Sequence, residues 1–306
     1  MNKKYIAVFS LLIILTFIGY IVYDTVVSHP ETETKPESAK APVYTENWII
    51  AKEFLTQEGP LTSVAISKSG LVYLGGESFI ACYNSEFVRQ WTLKMPERIT
   101  AVAVSGDSVF ASSVGKVFIV STVGKQIGEW GPFEVNSIFT SLSANSRIVA
   151  VADAANKMVF ILRRDGEVLG IIGQRDRRFI IPSSYFDVVL TEGDTIYIAN
   201  TGNHRIEKWN THRFFISQFG KPGTGPDEFN ACCNPAHFAL IPGGFVTAEK
   251  GLNRIKILGM DGRFIEFVSV NNKFVPSVPL DIASTDGKTI YGANEADSKL
   301  YVFKRK

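Results

Sequence analysis

Three titratable residues of the sequence stand at equivalent places. Asp187, His237 and Asp281 each come directly before a short stretch of apolar or small residues, and they are separated by 50 and 44 residues. Histidine and carboxylate side chains bind zinc and similar divalent cations and can act as general bases. If the three stretches are equivalent strands, these side chains meet. We expect a binding site there, with a divalent cation on His237, Asp187 and Asp281 as one hypothesis and the capping of backbone N–H groups as the alternative.

A second set of polar residues follows the next strand of each unit. The set consists of Asn200, His204, Glu249 and Asn294. In a repeat of antiparallel strands, the loop after the second strand opens on the same face as the loop before the first. We therefore expect these side chains to join Asp187, His237 and Asp281 in one binding surface.

Two adjacent cysteines, Cys232 and Cys233, lie in the segment that leads to His237. Adjacent Cα atoms are about 3.8 Å apart, which is below the usual range for a disulfide, so a vicinal bridge would be strained and reducible. A vicinal disulfide, two free thiols and pairing of one cysteine elsewhere all remain open. Cys82 is expected to be an inert buried thiol.

A repeat of short strands must position all of these residues. Its opening strands fall at 64–66, 102–104, 140–142, 188–190, 238–240 and 282–284, and Ser63, Ala101 and Phe139 precede the first three. Units of this length are typical of four-stranded propeller blades. The last unit has only three strands, and Trp48–Leu55 can supply the fourth and remove two free sheet edges. The sequence predicts an all-β, six-bladed β-propeller over residues 46–304, closed by its N-terminal strand.

One stretch of the fourth unit carries a family resemblance. Residues 198–206, Ile-Ala-Asn-Thr-Gly-Asn-His-Arg-Ile, resemble the signature of NHL repeats, and residues 223–229 are similar to the segment between NHL blades. Weaker copies lie at 249–255 and 153–158, and Asn200 replaces the acidic residue of the signature. The resemblance implies the propeller fold. NHL propellers include protein binders, RNA binders and a few enzymes, so the resemblance does not specify an activity.

The N-terminal segment predicts a membrane anchor. Lys3 and Lys4 precede the uncharged residues 5–23, which as a helix would extend about 28 Å, close to the thickness of the hydrocarbon layer. The run is longer than the apolar region of a signal peptide and lacks a small-residue cleavage site, although cleavage remains the alternative. We expect a cytoplasmic tip at 1–4, a single transmembrane signal-anchor at 5–23 and a proline-containing flexible linker at 24–45. The lysines place the propeller outside the cytoplasm, on the cytoplasmic (inner) membrane.

The overall composition narrows the function. The 306 residues include 32 Lys+Arg and 30 Asp+Glu, a balance that argues against a nucleic-acid partner. No phosphate-binding loop or nucleophile elbow is present. We predict a non-enzymatic binding or scaffold module with a protein or small-ligand partner outside the cytoplasm, and with no cofactor apart from the possible divalent cation. The alternatives are a metal-dependent hydrolase or lyase, as in gluconolactonase-like and amidating-lyase propellers, and an accessory protein of a membrane redox system.

Overall fold

The computed structural model describes residues 3–24, 44, 47–174, 177–230, 232–270 and 274–306. The chain forms two units, 1–43 and 44–306. In the first unit, helix α1 spans Lys3–Tyr23. Among the residues described, no helix is both long enough and apolar enough to cross a membrane. The predicted transmembrane segment is therefore not confirmed, and most of the predicted linker lies outside the described residues.

The second unit consists of six four-stranded antiparallel sheets. Blade 1 contains β2 Leu61–Ile66, β3 Val72–Gly76, β4 Phe79–Tyr83 and β5 Arg89–Lys94. Blade 2 contains β6 Ala101–Ser105, β7 Ser108–Ser112, β8 Val117–Ser121 and β9 Gln126–Trp130. Blade 3 contains β10 Phe139–Ala144, β11 Ile148–Asp153, β12 Met158–Arg163 and β13 Val168–Ile172.

The remaining blades follow the same meander. Blade 4 contains β14 Val188–Leu190, β15 Thr195–Asn200, β16 Arg205–Asn210 and β17 Phe215–Phe219, with a short 3-10 helix at Thr201–Asn203. Blade 5 contains β18 His237–Ile241, β19 Gly244–Ala248, β20 Ile255–Gly259 and β21 Phe264–Ser269. Blade 6 contains β22 Asp281–Ala283, β23 Thr289–Asn294, β24 Lys299–Arg305 and the N-terminal strand β1 Trp48–Leu55.

The core lies in layers between neighbouring blades. The second strand of blade 3, β11, is buried along its whole length, whereas the outermost strand β17 is largely exposed. A second strand is covered on both faces because a blade packs on each side, which explains its continuous apolar sequence. Between blades 3 and 4, for example, Ala150 and Ile161 pack in one cluster with Ile196 and Trp209.

The ring closes as the sequence predicts. Strand β1 pairs antiparallel with β24 from Trp48 opposite Arg305 to Leu55 opposite Lys299. Lys299 Nζ also lies 2.8 Å from Glu53 Oε2 across the same pair. The six-bladed architecture and its closure by the N-terminal strand are confirmed.

The antiparallel order gives the propeller two different faces. We call the face with the loops that enter each first strand the upper face, and the face with the turns between first and second strands the lower face. The first strands are innermost and surround the central channel. At the lower face, Lys68 Nζ lies 2.5 Å from Glu192 Oε1, which links the turns of blades 1 and 4 on opposite sides of the ring.

Candidate functional site

The channel contains a cavity of about 420 Å³ that is lined by the first strands of all six blades. Small side chains keep it open in five of them: Ala65, Ala103, Ala144, Ala239 and Ala283. Asp187, His237 and Asp281 line its upper part, and Lys68 and Glu192 line its lower part. The cavity is therefore polar at both ends and mainly apolar along the strands between them.

The structure brings the three predicted residues together at the upper end of the channel. His237 Nδ1 lies 3.5 Å from Asp281 Oδ1 and 3.9 Å from Asp187 Oδ2. Each residue stands at or directly before the start of a first strand, and blades 4, 5 and 6 are consecutive, so the ring places these positions side by side. We call Asp187, His237 and Asp281 the channel cluster.

Both carboxylates of the channel cluster also cap backbone N–H groups. Asp187 Oδ2 accepts a hydrogen bond of 2.8 Å from the N–H of Phe238, and its Oδ1 accepts one of 2.8 Å from the N–H of Val188. Asp281 Oδ2 accepts a hydrogen bond of 2.9 Å from the N–H of Val64. Each aspartate thus binds the first strand of the following blade, so the capping alternative accounts for part of its role.

No basic side chain balances these carboxylates. Among the described residues, neither Asp187 nor Asp281 forms an ion pair with a lysine or an arginine, and His237 is the nearest basic group to both. The exposed fractions of the side chains are 9% for Asp187, 17% for His237 and 21% for Asp281. Because all three line the cavity, this exposed part faces the channel.

Burial shifts the pKa of every member of the channel cluster toward its neutral form. It raises the pKa of Asp187 to about 6. Burial, together with the smaller effect of the neighbouring Asp187 charge, raises the pKa of Asp281 to about 8. It lowers the pKa of His237 to about 4. At neutral pH Asp281 is therefore mainly protonated, His237 is neutral, and the cluster carries about one net negative charge, mainly on Asp187.

Ser141 is a member of this site that the sequence did not reveal. Its hydroxyl donates a hydrogen bond to Asp187 Oδ1 and accepts one of 3.2 Å from the N–H of Val188. The comparison of the repeat units placed Phe139 at this position. That prediction is wrong because a bulge between Phe139 and Ser141 shifts the register of β10. Phe139 is instead fully buried and packs against Phe160.

Tyr185 also belongs to the site and was not predicted. Its ring centroid lies 5.7 Å from that of His237 at an interplanar angle of 84°. The Tyr185 hydroxyl donates a hydrogen bond of 3.2 Å to the carbonyl oxygen of Ser277, and Lys250 Nζ lies 5.3 Å from the ring centroid. The ring therefore lies beside His237 at the upper end of the channel. The sequence held one signal for this residue. Tyr185 lies two positions before Asp187, and residues two apart in an extended segment point the same way.

The polar residues after the second strands do not join the channel cluster. Asn200, Glu249 and Asn294 are at most 2% exposed, and neither they nor His204 line the cavity. Asn200 Oδ1 accepts a hydrogen bond of 3.0 Å from the N–H of Ile180. Asn294 Oδ1 accepts one of 3.2 Å from the N–H of Ala296. These side chains hold loops against the blades, so the structure does not bring them into the cavity with the channel cluster.

Glu249 lies instead in a compensated ion cluster. Its Oε2 is 2.8 Å from Arg254 Nη2, and its Oε1 is 2.8 Å from Lys256 Nζ. Glu249 Oε2 also accepts a hydrogen bond of 3.2 Å from the N–H of Asn230. Burial lowers the pKa of Lys256 to about 8, although the nearby Glu249 carboxylate opposes that shift. Two cations thus surround one buried carboxylate.

The cysteines are free thiols. Cys232 is exposed, whereas Cys233 and Cys82 are buried, and the described residues contain no disulfide. Burial raises the pKa of the Cys233 thiol, which keeps it protonated. The structure therefore matches the free-thiol alternative and does not support the vicinal bridge. Cys82 is buried in the core between blades 1 and 2, as expected.

The structure does not support the proposed divalent-cation site. Among the described residues, no group of three or more His, Cys, Asp or Glu side chains is arranged to hold a metal ion. Asp187 uses both carboxylate oxygens to accept hydrogen bonds from the protein, and the Asp281 carboxylate accepts them from the N–H groups of Val64 and Ile282. Fewer lone pairs remain for a metal than the residue types suggest.

Comparison with known proteins identifies the fold class. No protein-family profile and no curated protein sequence matches this chain. Virginiamycin B lyase from Staphylococcus aureus superposes with a TM-score of 0.60 at 14% identity, over 83% of this chain and 99% of the lyase. A catalytically inactive variant of that lyase with quinupristin gives a TM-score of 0.56 at 15% identity, over 83% and 99% of the two chains.

A third solved structure leads to the same class. The WD40 β-propeller domain of Doa1 superposes with a TM-score of 0.59 at 13% identity, over 82% of this chain and 81% of that domain. These low identities show a shared fold alone. The protein is thus a six-bladed β-propeller, and its resemblance to NHL repeats stays a prediction.

Proposed function

We propose that this propeller is a binding module that takes a small ligand, or a protruding group of a protein partner, into its channel from the upper face. The observation that carries the proposal is the cavity of about 420 Å³ on the axis. Ligand sites are typically concave and largely apolar, with a few polar groups that fix orientation. The channel has this composition, with the channel cluster at its upper end and alanines along its wall.

Residues 5–23 supply the second part of the proposal. We propose that α1 anchors the protein in the cytoplasmic membrane and that the propeller lies outside the cytoplasm. Uncharged residues fill 5–23 of the sequence, and Lys3 and Lys4 precede them. The large apolar side chains described in α1, from Val8 to Tyr23, are exposed. Protease added to intact spheroplasts should release the propeller, and complete protection of the propeller would contradict this orientation.

The binding proposal is tested by blocking the channel. The full chain in detergent micelles is screened by ligand-observed NMR against a fragment set of mixed charge. We expect hits that compete for one site and disappear in Ala103→Phe, because Ala103 lines the cavity and a phenyl group would fill it. Val123→Phe is the matched control, since Val123 is 79% exposed and does not line the cavity.

Two outcomes would contradict channel binding. The first is a screen in which no fragment distinguishes wild type from Ala103→Phe. The second is a loss of the same hits in Val123→Phe, which would place binding outside the channel. A melt of each variant within about 1 kcal/mol of wild type in unfolding free energy shows that the comparison concerns the site and not the fold.

A lyase or hydrolase is the second candidate function. The observation that favours it is the neutral imidazole of His237, 3.5 Å from a carboxyl group that can hold a proton. Such a pair can transfer a proton to and from a bound substrate. The fold shared with virginiamycin B lyase agrees with this candidate but does not identify a substrate. Turnover of a ligand found in the screen, lost in His237→Gln while binding persists, would establish it.

A further inference from the structure

The buried carboxylates of the propeller differ in how their charge is balanced. Glu249 has Arg254 and Lys256, and Glu207, which is also fully buried, has Arg178 at 2.7 Å and Arg205 at 2.8 Å. A buried charge without a partner is costly, so proteins normally supply one. Asp187 and Asp281 have only His237, which is neutral near pH 7.

The carboxylates that lack a cationic partner border the cavity of the channel. The channel cluster borders the cavity of about 420 Å³, which is large enough for a small organic group, and the exposed parts of its side chains face it. Among the described residues, the Asp281 carboxylate accepts hydrogen bonds from the backbone N–H groups of Val64 and Ile282 and contacts no lysine or arginine, so a cation in the cavity would meet it. The cation would also meet Asp187 Oδ2, which has a second lone pair beside the one that accepts the N–H of Phe238.

A cation of the protein itself lies near the channel cluster. Lys250 Nζ lies 5.3 Å from the ring centroid of Tyr185, and that ring packs against His237. Among the described residues, this ammonium group forms no ion pair with Asp187 or Asp281. Aromatic faces bind ammonium and guanidinium groups in water-exposed sites. The aromatic ring beside His237 and the carboxylates next to it therefore favour the same class of ligand.

We propose that the channel binds an organic cation, a primary ammonium or guanidinium group of a small molecule or of a partner's side chain, between Asp187 and Asp281. This inference rests on the proposed channel-binding function. An ammonium group offers three donors and requires only oxygen acceptors at hydrogen-bond distance. A divalent metal requires several converging ligands, and the described residues contain no such group. An anionic ligand would be repelled by the net negative charge of the cluster, which disfavours that class.

The test compares two probes of similar size that differ in charge. Butylammonium and butan-1-ol are titrated by NMR into the full chain in detergent micelles at pH 8.5 and constant ionic strength, with empty micelles subtracted. We expect butylammonium to bind about tenfold more tightly than butan-1-ol, because at this pH both aspartates are mainly ionised and attract it in a partly buried site. Asp281→Asn keeps the shape and the acceptor for the N–H of Val64, and it should remove most of that preference.

Two further variants sharpen the result. Glu192→Gln removes a carboxylate from the lower end of the same cavity and should leave the preference for butylammonium unchanged. Lys250→Met removes a competing cation from the mouth and should tighten butylammonium binding by about two- to threefold. A general attraction of cations to an acidic surface would instead make Glu192→Gln as harmful as Asp281→Asn.

The outcomes separate this inference from the proposed function. Equal binding of the two probes, with both lost in Ala103→Phe, would overturn the cation proposal and retain channel binding. Absence of butylammonium binding up to about 100 mM would overturn the cation proposal, while neutral hits in the fragment screen would retain channel binding. Displacement of butylammonium by micromolar Zn²⁺ in wild type but not in Asp281→Asn would replace the organic cation by a metal.

Discussion

Two groups of buried carboxylates occupy the upper half of this propeller, and their surroundings are opposite. Glu249 lies in the wall of a blade, where Arg254 and Lys256 contact it directly. Asp281 lies on the channel, where a neutral histidine is its nearest basic neighbour. The first arrangement holds a loop and a blade together. The second supplies no cation, so Asp281 stays mainly protonated near neutral pH and the negative charge of the cluster lies on Asp187. The same residue class thus serves the framework in one place and faces a cavity in the other.

The largest expected effect on stability concerns the ion cluster around Glu249. Glu249→Gln leaves the buried charges of Arg254 and Lys256 without a counter-ion. Removing one partner of a buried ion pair typically costs about 3–5 kcal/mol of unfolding free energy. Denaturant melts of wild type and variant measure this cost. A loss under about 1 kcal/mol would show that water reaches these groups and that the contrast with the channel is wrong.

The next largest effect is the pH dependence of unfolding free energy that the channel cluster causes. Asp281 has a folded pKa of about 8, raised above its ordinary value, so its contribution to stability is complete at low pH and is lost as the pH rises toward 8. His237 acts in the opposite direction only below about pH 6.5, where the unfolded state gains a proton that the folded state lacks. Between pH 6.5 and 8, unfolding free energy should therefore fall by about 1–2 kcal/mol.

Asp281→Asn should flatten that pH profile. The variant cannot ionise at residue 281, so its unfolding free energy should stay nearly constant between pH 6.5 and 8. At pH 8 this free energy should be higher than that of the wild type. Glu249→Gln should keep the wild-type slope at lower overall stability. A slope that persists in Asp281→Asn would assign the titration to another group.

His237→Ala should have a smaller effect on folding. Among the described residues, the imidazole makes no hydrogen bond, and its contacts are the edge of Tyr185 and the two aspartates. We expect the melt to change by about 1 kcal/mol or less, the scale for a residue outside the packed core. A cost above about 3 kcal/mol would show that His237 belongs to the framework, like Glu249.

The smallest effect should come from the lower end of the channel. Lys68 and Glu192 form an ion pair across the ring, but their side chains are 85% and 59% exposed. Exposed pairs contribute about 0–1 kcal/mol, so Glu192→Gln should melt almost as wild type does. A loss comparable to that of Glu249→Gln would mean that this pair holds the ring together.

The sequence predicts the blades better than the details of the site. Blade length and alternation reveal six sheets and the closure by β1, because these features depend on local patterns. The meeting of Asp187, His237 and Asp281 also follows from the repeat. The position of Ser141 does not, because one bulge in β10 shifts the register without leaving a clear sequence signal.

The second set of polar residues shows a different limit. Sharing a face with the channel cluster does not mean sharing a site with it. Asn200 and Glu249 turn into the blades because buried loop N–H groups and buried cations need partners there. That requirement depends on Ile180, Asn230 and Lys256, which lie in other segments of the chain. Periodicity within one strand cannot reveal such partners.

The pairing of β1 with β24 has a consequence for synthesis. The ribosome makes β1 first and β24 last among the strands of the propeller, and Lys299 follows Leu55 by 244 positions. At about 5–20 residues per second, β1 waits roughly 12–50 s for its partner. During this delay, Trp48, which is only 2% exposed after folding, has no blade to cover it. A nascent chain of this protein therefore presents an unpaired strand edge to chaperones, or to other nascent chains, until β24 emerges.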